Sequence, residues 1–389
     1  MSTPTPLIAA WARSAVVPRG GAFKALHAHD IAAPVVQALL ARAGLAATYV
    51  NAIVVGNALG AGGNPARMLA LHAGLPQACA AYTVDTQCCA GLDAISMGMG
   101  LIASGQAEVV IAGGMEAWSR SPIRMHRPIH ANDEARVFER PAFAPTPEQD
   151  PDMLLSAARY AAQHGYTRTQ QETYALHSHQ RSVAHMAQMA AEIVSVAGVM
   201  HDAYPRVMDA ARVQRMPVVA RSDKLAEQDA NAFALSALTI SAQADGAAFV
   251  LLLSPSAAAR LGLQAKATCI ATASVGGAPE FPLVAAELAA CEVLKRAGLA
   301  DASSLQFVEL HDAFAVQGLS FANGLAIAPE RLNALGGGVA RGHPIGASAA
   351  IALVRVLADL DREGAPGAQG LVAVAGAGGL GAAAVVAKL

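Results

Sequence analysis

The apolar positions of the chain fall into two stretches of like texture separated by a third that differs. From Leu7 to Met115 short apolar runs alternate with alanine-rich segments of helical periodicity, as in Ile31 to Ala43 followed by the strand-like Ala52 to Gly56. From about Ala244 to the end the alternation returns. A helix is predicted over Pro282 to Ala297, a strand over Phe307 to Leu310, and a closing pair of strands within Leu371 to Val386. Leu371 to Ala387 approaches membrane-spanning length, but Gly376, Gly378, Gly379 and Gly381 crowd its middle and weaken a helix. It reads as two buried strands joined by a glycine turn. Strand and helix alternating in this way indicate an α/β fold.

Residues 119 to 243 replace the apolar runs with Pro, Arg, Met, His and Gln, and read as an insertion. Within it Thr169 and Glu172 stand at capping-box spacing ahead of a helical stretch to Ile193, whereas Pro141 to Pro151 reads as loop. The expected division is an N-terminal half over 1–118, completed by about 244–258, the insert over 119–243, and a C-terminal half over 259–389. The two halves carry a faint repeat. VVIAGG at 109–114 resembles VAVAGAGG at 372–379, and each follows an alanine-rich helix that begins just after a candidate reactive residue. Duplication of one α/β unit explains this; chance similarity of two Ala/Gly-rich segments is the alternative.

Composition narrows the class. With 389 residues, 54% hydrophobic and 14% charged, the chain is too apolar for disorder and too long for one ordinary core. Aromatics are only 4%, so small side chains must do the packing. A net charge of −2 provides no field for nucleic acid or an anionic membrane, and any anion site must be local. The arginines of the insert, Arg120, Arg124, Arg127, Arg136, Arg140, Arg206, Arg212, Arg215 and Arg221, are candidates for such a site, against the plainer reading of a solvated basic face. The cysteines, Cys79, Cys88, Cys89, Cys269 and Cys291, are odd in number and irregularly spaced, which suits reduced thiols better than disulfides or a metal site. The opening MSTPTPLIAAWARSAVV has no cationic residue ahead of its short apolar run, so no secretory signal is expected and the cytoplasm is the expected compartment. No glycine loop of the P-loop or dinucleotide type occurs in the sequence.

Three segments carry candidate chemistry. Residues 80–85 look like a strand, 86–91 like a tight turn and the residues from 92 onward like a helix, which places Cys88 and Cys89 at a strand-to-helix turn. Unpaired backbone N–H groups and the helix dipole favour a thiolate there, and can lower a cysteine pKa to about 3.5 to 7.5. Otherwise such a cysteine is an inert small hydrophobe, the reading given to Cys79 and Cys269. In GHPIGAS at 342–348, Gly342 and Pro344 fix a turn that can present His343 to a cleft as a base. In HDAFA at 311–315, His311 follows a strand at its carboxyl end, where α/β sheets form ligand crevices, and Phe314 could wall an acyl pocket.

Taken together in order, these segments resemble the thiolase family. VDTQCCAGLDAI (84–95) is similar to its nucleophile motif, with Cys88 at the acylated cysteine; GNPAR (63–67), AGGME (112–116), DGAA (245–248) and GHPIGAS also match. The resemblance covers nearly the whole chain and is weakest in the insert. It implies duplicated α/β halves in a five-layer αβαβα arrangement with an inserted loop domain covering coenzyme A, usually as homodimers or homotetramers. It further implies His343 as the base, His311 in place of an Asn that holds a catalytic water, backbone N–H groups of Cys88 and Ala377 as an oxyanion hole, and Ser241 against the pantetheine arm. Coenzyme A thioesters are then substrates, with no permanently bound cofactor and no metal. One departure stands out. The family's second catalytic cysteine falls at Ala375, and a variant branch that carries it within the His-Asp-Xaa-Phe motif would place it at Ala313. The expected activity is acyl transfer in 3-ketoacyl-CoA cleavage or condensation. The alternatives are decarboxylative condensation by a Cys-His-His set, or a non-catalytic subunit that binds an acyl thioester or an accessory protein.

Overall fold

The computed structural model describes residues 5–130 and 132–389; Met1–Pro4, the first residues of the segment read for a secretory signal, and Ala131 lie outside the described residues. The principal strands are Leu7–Ser14 (β1), Ala52–Gly56 (β2), Ala80–Val84 (β3), Val109–Ala117 (β4), Ala244–Leu253 (β5), Ala267–Gly276 (β6), Phe307–His311 (β7), Gln369–Gly376 (β8) and Leu380–Lys388 (β9). The helices that matter most are Ala28–Ala43 (α1), Pro65–His72 (α2), Ala90–Ala103 (α3), Met153–His164 (α4), Arg168–Ala184 (α5), Ala285–Arg296 (α6), Ala315–Gly324 (α7) and Ile345–Glu363 (α8).

The strands lie in the order β7-β8-β9-β6-β1-β5-β4-β2-β3. In the first half β1 pairs antiparallel with β5, β5 antiparallel with β4, and β4 parallel with β2. In the second half β6 pairs antiparallel with β9, β9 antiparallel with β8, and β8 parallel with β7. The pairings repeat, and they set β4 against β8, the strands that carry VVIAGG and VAVAGAGG. The halves join at one corner, through Leu7↔Thr268 and Ile8↔Ala267 of β1 and β6.

The strands β1, β2, β4, β5, β7, β8 and β9 are buried almost throughout, and alternation along them sorts residues between two cores, whereas β3 and β6 keep exposed positions. On β5, Val250 and Leu252 face a central core with α3 and α8, while Phe249 and Leu251 face an outer core with α1 and α2. On β8, Val372 and Val374 share that central core, while Leu371 and Ala373 face the second outer core under α6. The result is five layers, αβαβα. A strand buried on both faces needs apolar residues throughout, which is why the sequence shows runs rather than alternation. Truncating one such core leucine to alanine costs about 2–5 kcal/mol.

Buried ion pairs tie the insert to both halves. Arg13 of β1 meets Glu192 at 2.6 Å and Asp202 at 2.7 Å, and Arg355 of α8 meets Glu192 and, at 2.8 Å, Asp359. Breaking one partner of a buried pair costs about 3–5 kcal/mol.

Three expected elements shift. The capping box of α5 is Thr167 with Gln170, not Thr169 with Glu172: the Thr167 hydroxyl accepts from the Gln170 backbone N–H at 3.2 Å and the Gln170 side-chain Oε1 accepts from the Thr167 backbone N–H at 2.8 Å. Glu172 instead pairs with Arg168 at 2.8 Å. The helix expected to reach Ile193 stops at Ala184, and Ile193–Val194 runs parallel to β1. Finally, Pro282–Val284 forms a 3-10 turn that precedes α6.

Candidate active site

β3 ends one residue before Asp85, and Gln87–Cys89 form a single 3-10 turn that leads into α3. Gln87 has φ +55°, unusual for a residue with a side chain, and Asp85 holds it there by accepting from its backbone N–H at 3.1 Å and its side-chain amide at 3.0 Å. On the other half Gly342 has φ +112°, which turns the chain so that His343 precedes α8.

What brings the two turns together is a crossing of glycines. A Cβ at Gly114 would lie 1.9 Å from the Gly346 carbonyl oxygen, and one at Gly91 2.8 Å from the same atom. The first turns of α3 and α8 therefore approach to backbone contact, and the Cys88 Sγ sits 3.1 Å from His343 Nε2.

Hydrogen bonds assign the tautomer of His343. The Ser348 hydroxyl lies 2.9 Å from the Pro344 carbonyl and 2.7 Å from His343 Nδ1; donating its single proton to the carbonyl, it accepts from Nδ1–H. Nδ1 then carries the hydrogen, and the Nε2 lone pair faces the thiol. The His343 backbone is fixed as well: its N–H donates to the Ala242 carbonyl at 2.7 Å and its carbonyl accepts from Trp118 Nε1 at 3.1 Å.

Burial sets the charge state of the pair, and it corrects one expectation. A turn position of this kind can depress a cysteine pKa, yet burial pushes the Cys88 thiol up to about 12, only partly offset by the backbone of Ala377 and of Cys88 itself. Burial also lowers His343 to about 4. The resting pair is a neutral thiol donating to a neutral imidazole. His311 stacks on His343 with ring centroids 4.4 Å apart, its pKa is pushed well down by burial and by His343, and its buried Nε2 has no hydrogen-bond partner among the described residues.

One buried acid was not anticipated. Glu116, at the end of β4, is 1% exposed and receives four N–H donors: Oε1 accepts from Asn57 Nδ2 at 2.7 Å and Leu59 N at 3.3 Å, and Oε2 from Ala58 N at 3.0 Å and Gly346 N at 3.0 Å. It thereby ties the first half to the first turn of α8. Burial raises its pKa to about 7 against the opposing pull of those backbone donors. In Glu116→Gln the amide N–H₂ must face two of the donors whichever way it is turned. We expect a loss of about 1–3 kcal/mol, measured by chemical denaturation; an unchanged midpoint would show that this tether does not stabilise the fold.

The pair opens on a cavity of about 630 Å³. Cys88, His343, Ala377 and Phe314 all line it, as do Ala313 and Ala375, the two positions where the resemblance would place a second thiol. Of the insert's arginines only Arg124 and Arg140 reach its wall among the described residues; Arg124 donates to the Ala58 carbonyl at 3.1 Å and Arg140 to Asp150 at 3.0 Å. His311 lies behind His343 rather than on the wall. Ser241 is also off the wall, its hydroxyl donating to the Gly338 carbonyl at 2.6 Å. Residues that sequence reasoning missed include Trp118 and Gln243 on the wall and Ser348 behind His343.

The chain matches the profile of the thiolase N-terminal domain over residues 7–256 and that of the thiolase C-terminal domain over 263–388. It belongs to the thiolase family. As a thiolase it is a coenzyme A-dependent acyltransferase. Relatives include an acetyl-CoA acetyltransferase of Thiocystis violacea, 33% identical over 97% of both chains, and one of Shinella zoogloeoides, 34% identical over 100% of both. Among solved structures, the Acat5 thiolase of Ascaris suum in complex with coenzyme A superposes with a TM-score of 0.90 at 26% identity, covering 99% of this chain and 100% of that one. The acetyl-CoA acetyltransferase of Bacillus anthracis also gives 0.90, at 27% identity over 100% of both chains. The thiolase N-terminal profile runs through the insert, so the segment that carries α4 and α5 is part of the matched family domain. Among the described residues no helix of this thiolase is long and apolar enough to cross a membrane.

Proposed function

We propose that Cys88 is acylated by a coenzyme A thioester and that His343 handles its proton. The observation that carries this reading is the 3.1 Å contact of the Cys88 thiol with the Nε2 lone pair of His343 on the wall of an apolar cavity. Nε2 removes the thiol proton as the sulfur attacks the thioester carbonyl carbon. The backbone N–H groups of Cys88 and Ala377, whose pull lowers the thiol pKa against burial, receive the oxyanion. The carbon–sulfur bond to coenzyme A then breaks, and the departing thiolate takes the proton from Nε2. Phe314 walls the acyl group, and the insert over 119–243, with Arg124 and Arg140, covers the coenzyme between the halves 1–118 with 244–258 and 259–389. Ser241 is the proposed pantetheine contact. The relatives' names support acetyl-CoA as one donor.

A second reading, decarboxylative condensation, is favoured by alanine at both 313 and 375 and by His311 stacked on His343. A homodimer or homotetramer is supported by the sheet edge β3, where Tyr82 is exposed, and by α2 packed beside it, where Met68 and Leu71 are exposed. The five cysteines, odd in number and irregularly spaced, support a cytoplasmic place.

The test is an incubation with acetyl-CoA or acetoacetyl-CoA followed by intact-mass measurement. An acyl increment on the peptide containing Cys88 is expected; its absence with every acyl-CoA tried would defeat the reading.

A further inference from the structure

The acyl group on Cys88 needs an acceptor, and the cavity favours one kind. A carbon acceptor derived from acetyl-CoA must first lose a carbon-bound proton, which demands a strong base beside Cys88. Among the described residues the ionisable groups on the wall, other than the Cys88–His343 pair, are Asp85, Arg124, Glu139, Arg140 and Asp152. Asp85 is engaged by Gln87, Asp152 caps α4 through Leu154 N at 2.9 Å, and Arg124 and Arg140 are held as described. Glu139 is exposed to solvent. Among the described residues Cys88 is the only cysteine on the wall, and Ala313 and Ala375 bring only methyl groups to it. Cys89 is 1% exposed, its sulfur turned to the Val374 carbonyl at 3.9 Å, inside the central core. The one base in contact with the nucleophile is His343, a neutral imidazole set to deprotonate sulfur.

A sulfur acceptor needs none of the missing parts. A thiol, with an ordinary pKa of about 8.5, gives up its proton far more readily than a carbon next to a thioester. We propose that the acceptor is a second thiol of the coenzyme A type, so that the protein moves acyl groups from thiol to thiol without making or breaking a carbon–carbon bond. This rests on the acyl-enzyme reading and names its acceptor. Each half is the other run backwards. The incoming thiol gives its proton to His343 Nε2 and its sulfur attacks the acyl carbon. The carbon–sulfur bond to Cys88 breaks, and the departing Cys88 thiolate recovers the proton from Nε2. No oxidant, reductant or further acid is consumed. The same pair of N–H groups serves both oxyanions, since both tetrahedral centres form on the same carbon beside Cys88.

The experiment is an exchange in deuterium oxide. Protein is incubated with acetyl-CoA and isotope-labelled free coenzyme A, and the mass of the acetyl-CoA pool is followed. The expected result is label entering the coenzyme A part at least 100-fold faster than with Cys88→Ala, while the acetyl hydrogens stay at the level of a protein-free control. Protein-dependent deuterium in the acetyl group would overturn the proposal, as would a 3-ketoacyl product from malonyl-CoA formed faster than label exchange. An acyl adduct on Cys88 that free coenzyme A does not discharge would also overturn it while leaving the acyl-enzyme reading intact. If no adduct and no exchange occur with any acyl-CoA, the acyl-enzyme reading fails first and this one with it.

Discussion

Replacing Cys88 with alanine is expected to abolish the acyl adduct and to lower acyl transfer by about 10⁴-fold or more, the scale on which loss of a covalent nucleophile is felt. Two features make the effect large. The sulfur is the only thiol on the cavity wall among the described residues, and the backbone of Ala377 and of Cys88 itself favours its charged form against burial. Cys89 cannot substitute, because a move of one residue along a turn leading into a helix directs its side chain into the core between the sheets. The measurement is label exchange between acyl-CoA and free coenzyme A, with the melting curve of the variant as a control for folding. Alanine at a site already lined by small side chains leaves the fold little changed, so a loss of exchange without a loss of stability separates chemistry from structure. Retention of even a tenth of the exchange would show that Cys88 is not the acylated residue.

His343→Ala is expected to cost about 10² to 10⁴-fold in the rate of adduct formation, the usual contribution of a positioned base. It also leaves the Cys88 thiol, whose pKa is pushed up to about 12, without a proton acceptor. The wild-type pH profile should carry the same information. Burial holds His343 at about 4, below the 6.5 of an exposed imidazole, so the base form is present above about pH 4 and is lost as pH falls through that value. Adduct formation should therefore persist through pH 6, where an ordinary histidine would be mostly protonated. A fall centred near 6.5 would mean that the imidazole is solvated in the working enzyme. The depressed value has a stability counterpart. The folded state binds this proton less well than the unfolded state, so stability is lost as pH drops from about 6.5 toward 4.

Much of this architecture is legible in residue order because the physics is local. The turn at Cys88, the glycine turn between β8 and β9, and β2 follow from breakers placed between apolar runs. Even the weak repeat of VVIAGG in VAVAGAGG marks strands with equivalent pairing partners. The capping box escaped because two Thr-containing pairs at the same spacing overlap, and only the fold decides that Glu172 is drawn to Arg168. The charge state of Cys88 escaped for another reason. A helix start favours the thiolate, but desolvation from both halves outweighs it, and that depends on residues 255 positions away. Glu116 did leave a trace: it is a lone acid at the end of a fully apolar strand, Val109–Ala117, where burial without partners would be costly. Ser348 left none, since a serine in the first turn of an alanine-rich helix is unremarkable until its neighbour across the turn is a histidine.

The position of β5 bears on how the chain is made. It lies between β1 and β4, yet it is encoded after the whole insert. A ribosome that has released β4 has produced a first sheet with its central slot vacant, and the partner strand follows only on the order of ten seconds later at ordinary elongation rates. Throughout that interval β1 and β4 present unpaired backbone edges flanked by apolar side chains, the arrangement most prone to capture by another nascent chain. The insert emerges during that interval, and to this sheet it contributes only the short strand Ile193–Val194, which runs parallel to β1.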